Sequence, residues 1–154
     1  MSDVGPIEPP EQPELDESDR VADWAAPDEH LVVLVNMVNQ IGGSELNIRL
    51  TVFGLVLSGK LIGGADYFDS VATIFDQASG DSSESLGDVY RRTATFYRND
   101  VRAQPCESRV TTFIHLKDAY AYAPGAKPLL IGLWRGRLGH VSGWSVGSYG
   151  SPPS

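Results

Sequence analysis

Residues 46–62 read LNIRLTVFGLVLSGKLI, and this stretch decides the fold class. Apolar side chains alternate with polar ones before Gly54, and a second apolar run follows it. Alternation with a period of two on both sides of a glycine is typical of a β-hairpin that buries one face. We therefore predict two antiparallel strands near residues 46–53 and 55–62.

Helices are predicted on both sides of this hairpin. The first begins at Pro27 and Asp28, where Asp28 suits the N-cap position, and it ends at Gly42. After the hairpin, apolar residues at i, i+3, i+4 and i+7 predict a helix over residues 65–78. A helix with a weaker pattern is predicted over residues 85–98, with an apolar stripe made of Leu86, Val89, Tyr90 and Phe96.

The C-terminal half is predicted to supply three more strands. Residues 109–122 alternate between apolar and polar side chains, residues 129–135 form the next apolar run, and a last strand is expected near residues 140–148. Short glycine-containing connections favour antiparallel pairing. Glycines within strands, as at Gly59, Gly132 and Gly136, are expected where the sheet bends. The fold class is therefore α+β: an N-terminal helix and a small, bent, five-stranded antiparallel sheet with an inserted helical segment.

Charge is distributed unevenly along the 154 residues. Residues 1–30 hold ten acidic residues against Arg20 alone, a net charge of −9, whereas the remainder is close to neutral. Because an acidic, proline-rich segment buries too little apolar surface to offset its ordering entropy, we expect residues 1–26 to be disordered. Residues 27–148 are expected to form one domain, and residues 149–154 to be frayed.

The acidic segment has two interpretations. It is either a solubilising tail, or a segment that docks on a basic surface or tunes self-association through repulsion. It lacks the basic and apolar regions of a signal peptide. The longest unbroken apolar run, residues 31–35, is too short to cross a bilayer. We therefore expect a cytoplasmic protein without a membrane span.

No catalytic or metal-binding motif is recognisable. The single cysteine, Cys106, rules out an internal disulfide and a cysteine-based metal cluster. The three histidines, His30, His115 and His140, lie far apart, with no HxxH or HExxH spacing. There is no GxSxG elbow, and residues 142–147 lack the lysine of a phosphate loop. We expect a protein that is not an enzyme and that has no catalytic residue, metal or cofactor.

Charged residues near the strand ends are candidates for an interaction surface. Arg135 and Arg137 bracket a glycine, and two such arginines can hold an anion or stack on a base, or can protect a sheet edge by charge. His115 falls on the polar face of its strand, so we expect it at the surface or rim. Asp118, farther along the same strand, is expected to pair with Arg135 or Arg137 across the ladder.

Four stretches of the chain form a distinctive set. Residues 50–64 read LTVFGLVLSGKLIGG and are followed by Tyr67 and Phe68, and FIHLKDA occurs at 113–119, WRGRL at 134–138 and VSGWSVG at 141–147. In these stretches the sequence resembles the gas vesicle accessory protein GvpU family, in which a similar hairpin precedes a helix with Tyr-Phe. The resemblance implies a non-enzymatic accessory protein, associated with gas vesicles, that acts in their assembly, clustering or regulation through contacts with shell or accessory proteins or with itself. The acidic N-terminus departs from the family pattern.

A looser resemblance is to the Sm-like fold, in residues 56–61 and in the Trp-Arg-Gly at 134–136. It implies an open barrel of five bent strands, with the helices inserted before the third strand. The alternative function that it implies is an oligomeric RNA-binding protein. A nearly neutral body and an acidic segment would repel phosphate, so we expect protein partners rather than nucleic acid.

Overall fold

The structure is a computed structural model that describes residues 26–78, 86–103 and 112–149. Along the chain it contains α1 (Glu29–Gln40), β1 (Leu46–Val52), β2 (Leu55–Ile62), α2 (Gly64–Ala78), α3 (Leu86–Ala103), β3 (Phe113–Tyr122), β4 (Leu129–Arg137), a 3-10 turn (Leu138–His140) and β5 (Val141–Val146). The predicted α+β class is confirmed, with the helical segment between the second and third strands. We expect residues 1–26 to be disordered and residues 149–154 to be frayed. Except for Ala26 and Tyr149, these residues lie outside the described ranges.

Helix α1 begins as the sequence predicts. The Asp28 carboxylate accepts hydrogen bonds from the backbone N–H groups of His30 at 2.9 Å and Leu31 at 3.0 Å. These bonds satisfy two donors that have no partner within a helix, and they lower the pKa of Asp28, the bond from Leu31 most strongly. The helix buries Leu31, Val35 and Val38.

The hairpin of β1 and β2 is also confirmed. Leu46 pairs with Leu61 at its open end and Val52 with Leu55 at its closed end. The two turn residues, Phe53 and Gly54, have φ values of 49° and 80°. Positive φ at both central residues is the type I′ geometry, whose twist matches that of the flanking strands.

The five strands form one antiparallel sheet in the order β4-β3-β2-β1-β5. The sheet is not closed, so in the described residues β4 and β5 each have a neighbour on one side only. Its registers shift in several places, one of them between Ser58 and Lys60 on β2. Gly59 lies at that shift, where a Cβ atom would be 3.0 Å from the backbone oxygen of Lys117. A glycine therefore lets β2 and β3 approach closely where the sheet is irregular.

The sheet carries apolar residues on both faces. On one face, α1 packs on the main core, which includes Ile48, Leu50, Leu61 and Leu116. A second buried group lies outside that core, where α2 and α3 pack together and reach β3: Ile62, Phe68, Ala72 and Ala94. The alternation along β3 therefore separates two packed environments rather than a core from solvent.

Helix α3 differs from the prediction in length and in orientation. It continues to Ala103, five residues beyond the predicted end at residue 98. Its buried side includes Ala94, whereas Leu86, Val89 and Phe96 are exposed. The expected stripe is therefore wrong for these three residues and correct for Tyr90, because α2 contacts the face that carries Tyr90 and Ala94. Tyr90 stacks on Phe75 of α2, with ring centroids 5.3 Å apart.

Candidate interaction surface

Two of the predicted site residues, His115 and Arg135, are brought together by the pairing of β3 with β4. They are register partners, and the Arg135 Nε–H donates a hydrogen bond to His115 Nε2 at 3.2 Å. Because a neutral imidazole accepts at one nitrogen and carries its proton on the other, this bond assigns the His115 proton to Nδ1. Among the described residues, Nδ1 is buried without a hydrogen-bond partner.

His115 does not lie at the surface or rim, so the expected position is wrong. Its side chain is only 2% exposed. Helices α2 and α3 cover it with Tyr67, Phe68 and Tyr97, whose ring centroids lie 4.8, 5.9 and 6.4 Å from that of the imidazole. Burial, and secondarily the charge of Arg135, lowers the pKa of His115 from 6.5 to about 3. The imidazole is therefore neutral near pH 7.

Arg135 and Arg137 flank one aromatic ring at the exposed end of β4. The guanidinium carbon of Arg135 lies 3.5 Å from the centroid of Phe113, and that of Arg137 lies 5.9 Å from the same centroid. Arg137 is the register partner of Phe113, just as Arg135 is of His115, so these four side chains share one face of the sheet. We call Arg135, Arg137 and Phe113 the arginine clamp.

Asp118 does not join the clamp, and its expected pairing with Arg135 or Arg137 is wrong. It forms an ion pair with Lys60 on the neighbouring strand β2, at 3.1 Å. The β3–β4 register shifts between Leu116 and Ala119, and Asp118 lies within that shift with φ of 50°. The irregularity turns its carboxylate toward β2. The Asp118 carboxylate is in turn the largest cause of a raised pKa for Lys60.

Exposed apolar side chains occupy the free edge of β4, at the opposite end from the clamp. Leu129, Leu130 and Ile131 are consecutive, and their exposed fractions are 66%, 61% and 38%. Val146 on the other edge strand, β5, is also exposed. An edge strand with unpaired backbone groups and apolar side chains is a template for pairing with another chain.

Aromatic residues that were not predicted from the sequence complete this site. Phe113 makes cation–π contacts with both arginines, while Tyr67, Phe68 and Tyr97 cover His115. The available signal was Phe113, an aromatic residue on the same face of β3 as His115, since a strand covered on both faces carries apolar residues on both. Cys106 lies outside the described residues.

The comparison with known families gives one match. The family described as "Gas vesicle protein GvpU-like" matches residues 28–149, most of the chain and nearly all of its described part. Searches of curated proteins and of solved structures gave no match. None of the helices in the described ranges has the length and apolar character needed to cross a bilayer. No finding favours the Sm-like alternative. The match over most of its length shows that this chain belongs to the GvpU-like family of gas vesicle proteins.

Proposed function

We propose that this protein is a non-enzymatic gas vesicle accessory protein, which acts through protein–protein contacts in the assembly, clustering or regulation of vesicles. The observation that carries the proposal is the free edge of β4. Its three consecutive exposed residues, Leu129, Leu130 and Ile131, project on both sides of a strand that lacks a neighbour on its outer side in the described residues.

This edge can recognise a partner in two ways at once. Unpaired backbone groups offer hydrogen bonds to an added strand, and the alternating side chains offer apolar contacts on both faces. A fully buried leucine side chain contributes about 1.5–3 kcal/mol relative to an exposed one. The edge therefore has the chemistry for a specific contact with a shell protein or another accessory protein.

A binding role also agrees with the state of the one strongly perturbed histidine among the described residues. A general base acts best when its pKa is near the working pH and when it reaches the substrate proton. His115 is buried, and its pKa is lowered to about 3. Its hydrogen bond with Arg135 and its ring contacts support a structural role for this side chain.

The proposal is tested by flotation, because gas-filled vesicles rise in a centrifugal field. Purified vesicles are mixed with the full chain, floated and assayed for bound protein. We expect the wild-type chain to float with the vesicles, and we expect Leu129→Lys to weaken capture by about 10- to 100-fold through the loss of one apolar contact. Ile74→Lys on α2 is the matched control, because Ile74 is also an exposed apolar residue (53%).

Two results would contradict the proposal. One is that the wild-type chain remains in solution while the vesicles float. The other is that Leu129→Lys and Ile74→Lys lower capture equally, which would mean that the β4 edge has no particular role. Circular dichroism of both variants checks that each retains the fold.

A further inference from the structure

Among the cations of the described residues, some are neutralised by carboxylates, whereas Arg49, Arg92, Lys127, Arg135 and Arg137 form no ion pair with a described carboxylate. Four are neutralised by carboxylates: Lys60 by Asp118 and Glu45, Lys117 by Glu45, Arg91 by Asp76 and Asp88, and Arg98 by Asp69 and Asp66. Arg135 and Arg137 contact His115 and Phe113 instead, and neither forms an ion pair with a described carboxylate. They lie two positions apart on the same face of β4, so their charges add at one place.

The arginine clamp is prepared to accept carboxylates. The guanidinium of Arg135 is held in one orientation by its hydrogen bond to His115 and by its contact with Phe113, whose centroid lies 3.5 Å from the guanidinium carbon. Arg135 as a whole is nevertheless exposed. A guanidinium held in one orientation loses less freedom when a carboxylate binds it. The buried, neutral His115 provides that orientation without adding a competing charge.

We propose that the acidic N-terminal segment, residues 1–25, docks on the arginine clamp of the same chain. The segment carries eight acidic residues against Arg20. It is attached covalently, so its effective concentration at the clamp is in the millimolar range, well above that of a free partner at low concentration. This inference does not depend on the proposed role at gas vesicles.

Chain length decides which acids reach the clamp. The Trp144 side chain on β5 is close enough to Asp28 to contribute to the lowering of its pKa, so the segment starts beside β5, at the opposite edge of the sheet from β4. Four strand spacings and the change of face amount to about 30 Å. An extended chain covers at most about 3.3–3.6 Å per residue, so at least about nine residues are needed. Glu8, Glu11 and Glu14 therefore reach the clamp, whereas Asp23, which is five residues from Asp28, does not.

The experiment measures how fast phenylglyoxal modifies each arginine of the full chain, followed by mass spectrometry. The test variant replaces Glu8, Glu11 and Glu14 with Gln, and the control replaces Asp23, which is too close to Asp28 to reach the clamp, with Asn. Two exposed arginine–carboxylate contacts, each corresponding to about 1.4- to 5-fold in an equilibrium constant, predict a rate at Arg137 about 2- to 25-fold higher in the test variant. Arg92, an exposed arginine on α3, is the internal reference.

We expect protection of Arg137 in the wild-type chain and in the Asp23→Asn control, and its loss in the test variant. High salt should also remove it, because the screening length falls to about 3 Å at 1 M. Equal rates at Arg137 in the wild type and the test variant would overturn the proposal. So would an equal increase in the control variant, which would indicate general repulsion. Protection that disappears on dilution would assign the segment to a second copy and overturn docking within one chain.

Discussion

Protonation of His115 is predicted to govern how stability depends on pH in mildly acidic solution. The pKa of this side chain is lowered from 6.5 to about 3 by burial and by the charge of Arg135. In the unfolded chain the imidazole regains its ordinary pKa, so between about pH 6.5 and pH 3 the unfolded state binds more protons than the folded state. Stability is therefore complete above about pH 6.5 and falls as the pH falls through this window.

The size of the effect follows from the two pKa values. Their difference corresponds to about 5 kcal/mol when it is fully expressed near pH 3. At about pH 5 the unfolded imidazole is almost entirely protonated and the folded one is not, which lowers the free energy of unfolding by about 2 kcal/mol relative to pH 7.5. Domains are typically stable by about 5–15 kcal/mol, so a loss of this size shifts the unfolding midpoint visibly.

The assay is urea unfolding of the full chain and of His115→Gln at about pH 5 and pH 7.5, followed by circular dichroism. Glutamine does not titrate, and its carbonyl can accept the hydrogen bond from Arg135 Nε. The wild type should lose about 2 kcal/mol more than His115→Gln between the two pH values, whatever their difference at pH 7.5. Carboxylates titrate in both chains, so their contribution cancels in this comparison.

A control variant tests whether the loss of any imidazole has the same effect. His140→Gln removes a histidine at an exposed position, beside Phe53. The prediction fails if His115→Gln loses as much stability at the lower pH as the wild type. That result would mean that His115 is protonated in the folded protein at about pH 5, and that its buried environment does not exclude the charged imidazole.

The remaining predictions concern close backbone contacts and helix capping. Gly59→Ala should lower the free energy of unfolding by about 1–3 kcal/mol, because its Cβ would lie 3.0 Å from the Lys117 oxygen and 3.1 Å from the Ala119 Cα atom. Gly42→Ala is the matched control, since nothing lies within 4 Å of the new Cβ, and equal thermal shifts for both variants would contradict the steric argument. Asp28→Ala should destabilise the protein by about 0.5–2 kcal/mol in urea unfolding, whereas Asp28→Ser, which keeps an acceptor at the cap, should recover most of the loss.

The elements that local sequence patterns determine were predicted well. The period-two alternation around Gly54 fixed both hairpin strands to within a residue, and the Asp28 cap fixed the start of α1. Both depend on interactions between residues close in sequence, such as the cap hydrogen bonds and a two-residue turn. The irregularity at Gly59 was also predicted correctly, because a glycine inside a strand marks a bulge or a close approach of two backbones.

The errors have two physical causes: a pattern gives the face of an element but not what covers that face, and it does not show where the register of a sheet shifts. The sequence places His115 on the polar face of β3, but helices α2 and α3 cover that face. Helix α3 carries apolar residues on two of its sides, and the side with Tyr90 and Ala94 is the one that packs against α2. Asp118 was placed by strict alternation, and the shift in register redirected it toward Lys60.

Strand β4 combines two kinds of contact that respond differently to solution conditions. Its first residues, Leu129 to Ile131, are apolar and exposed, and its last residues include Arg135 and Arg137. Apolar contacts are insensitive to screening at physiological salt, whereas contacts between exposed charges weaken within a screening length of about 8 Å. In the proposed role, the apolar end supplies affinity for a partner strand and the arginine end supplies a charge-dependent control. The acidic segment is long enough to act there from the far edge of the sheet, so partner binding and its control can be located on one strand.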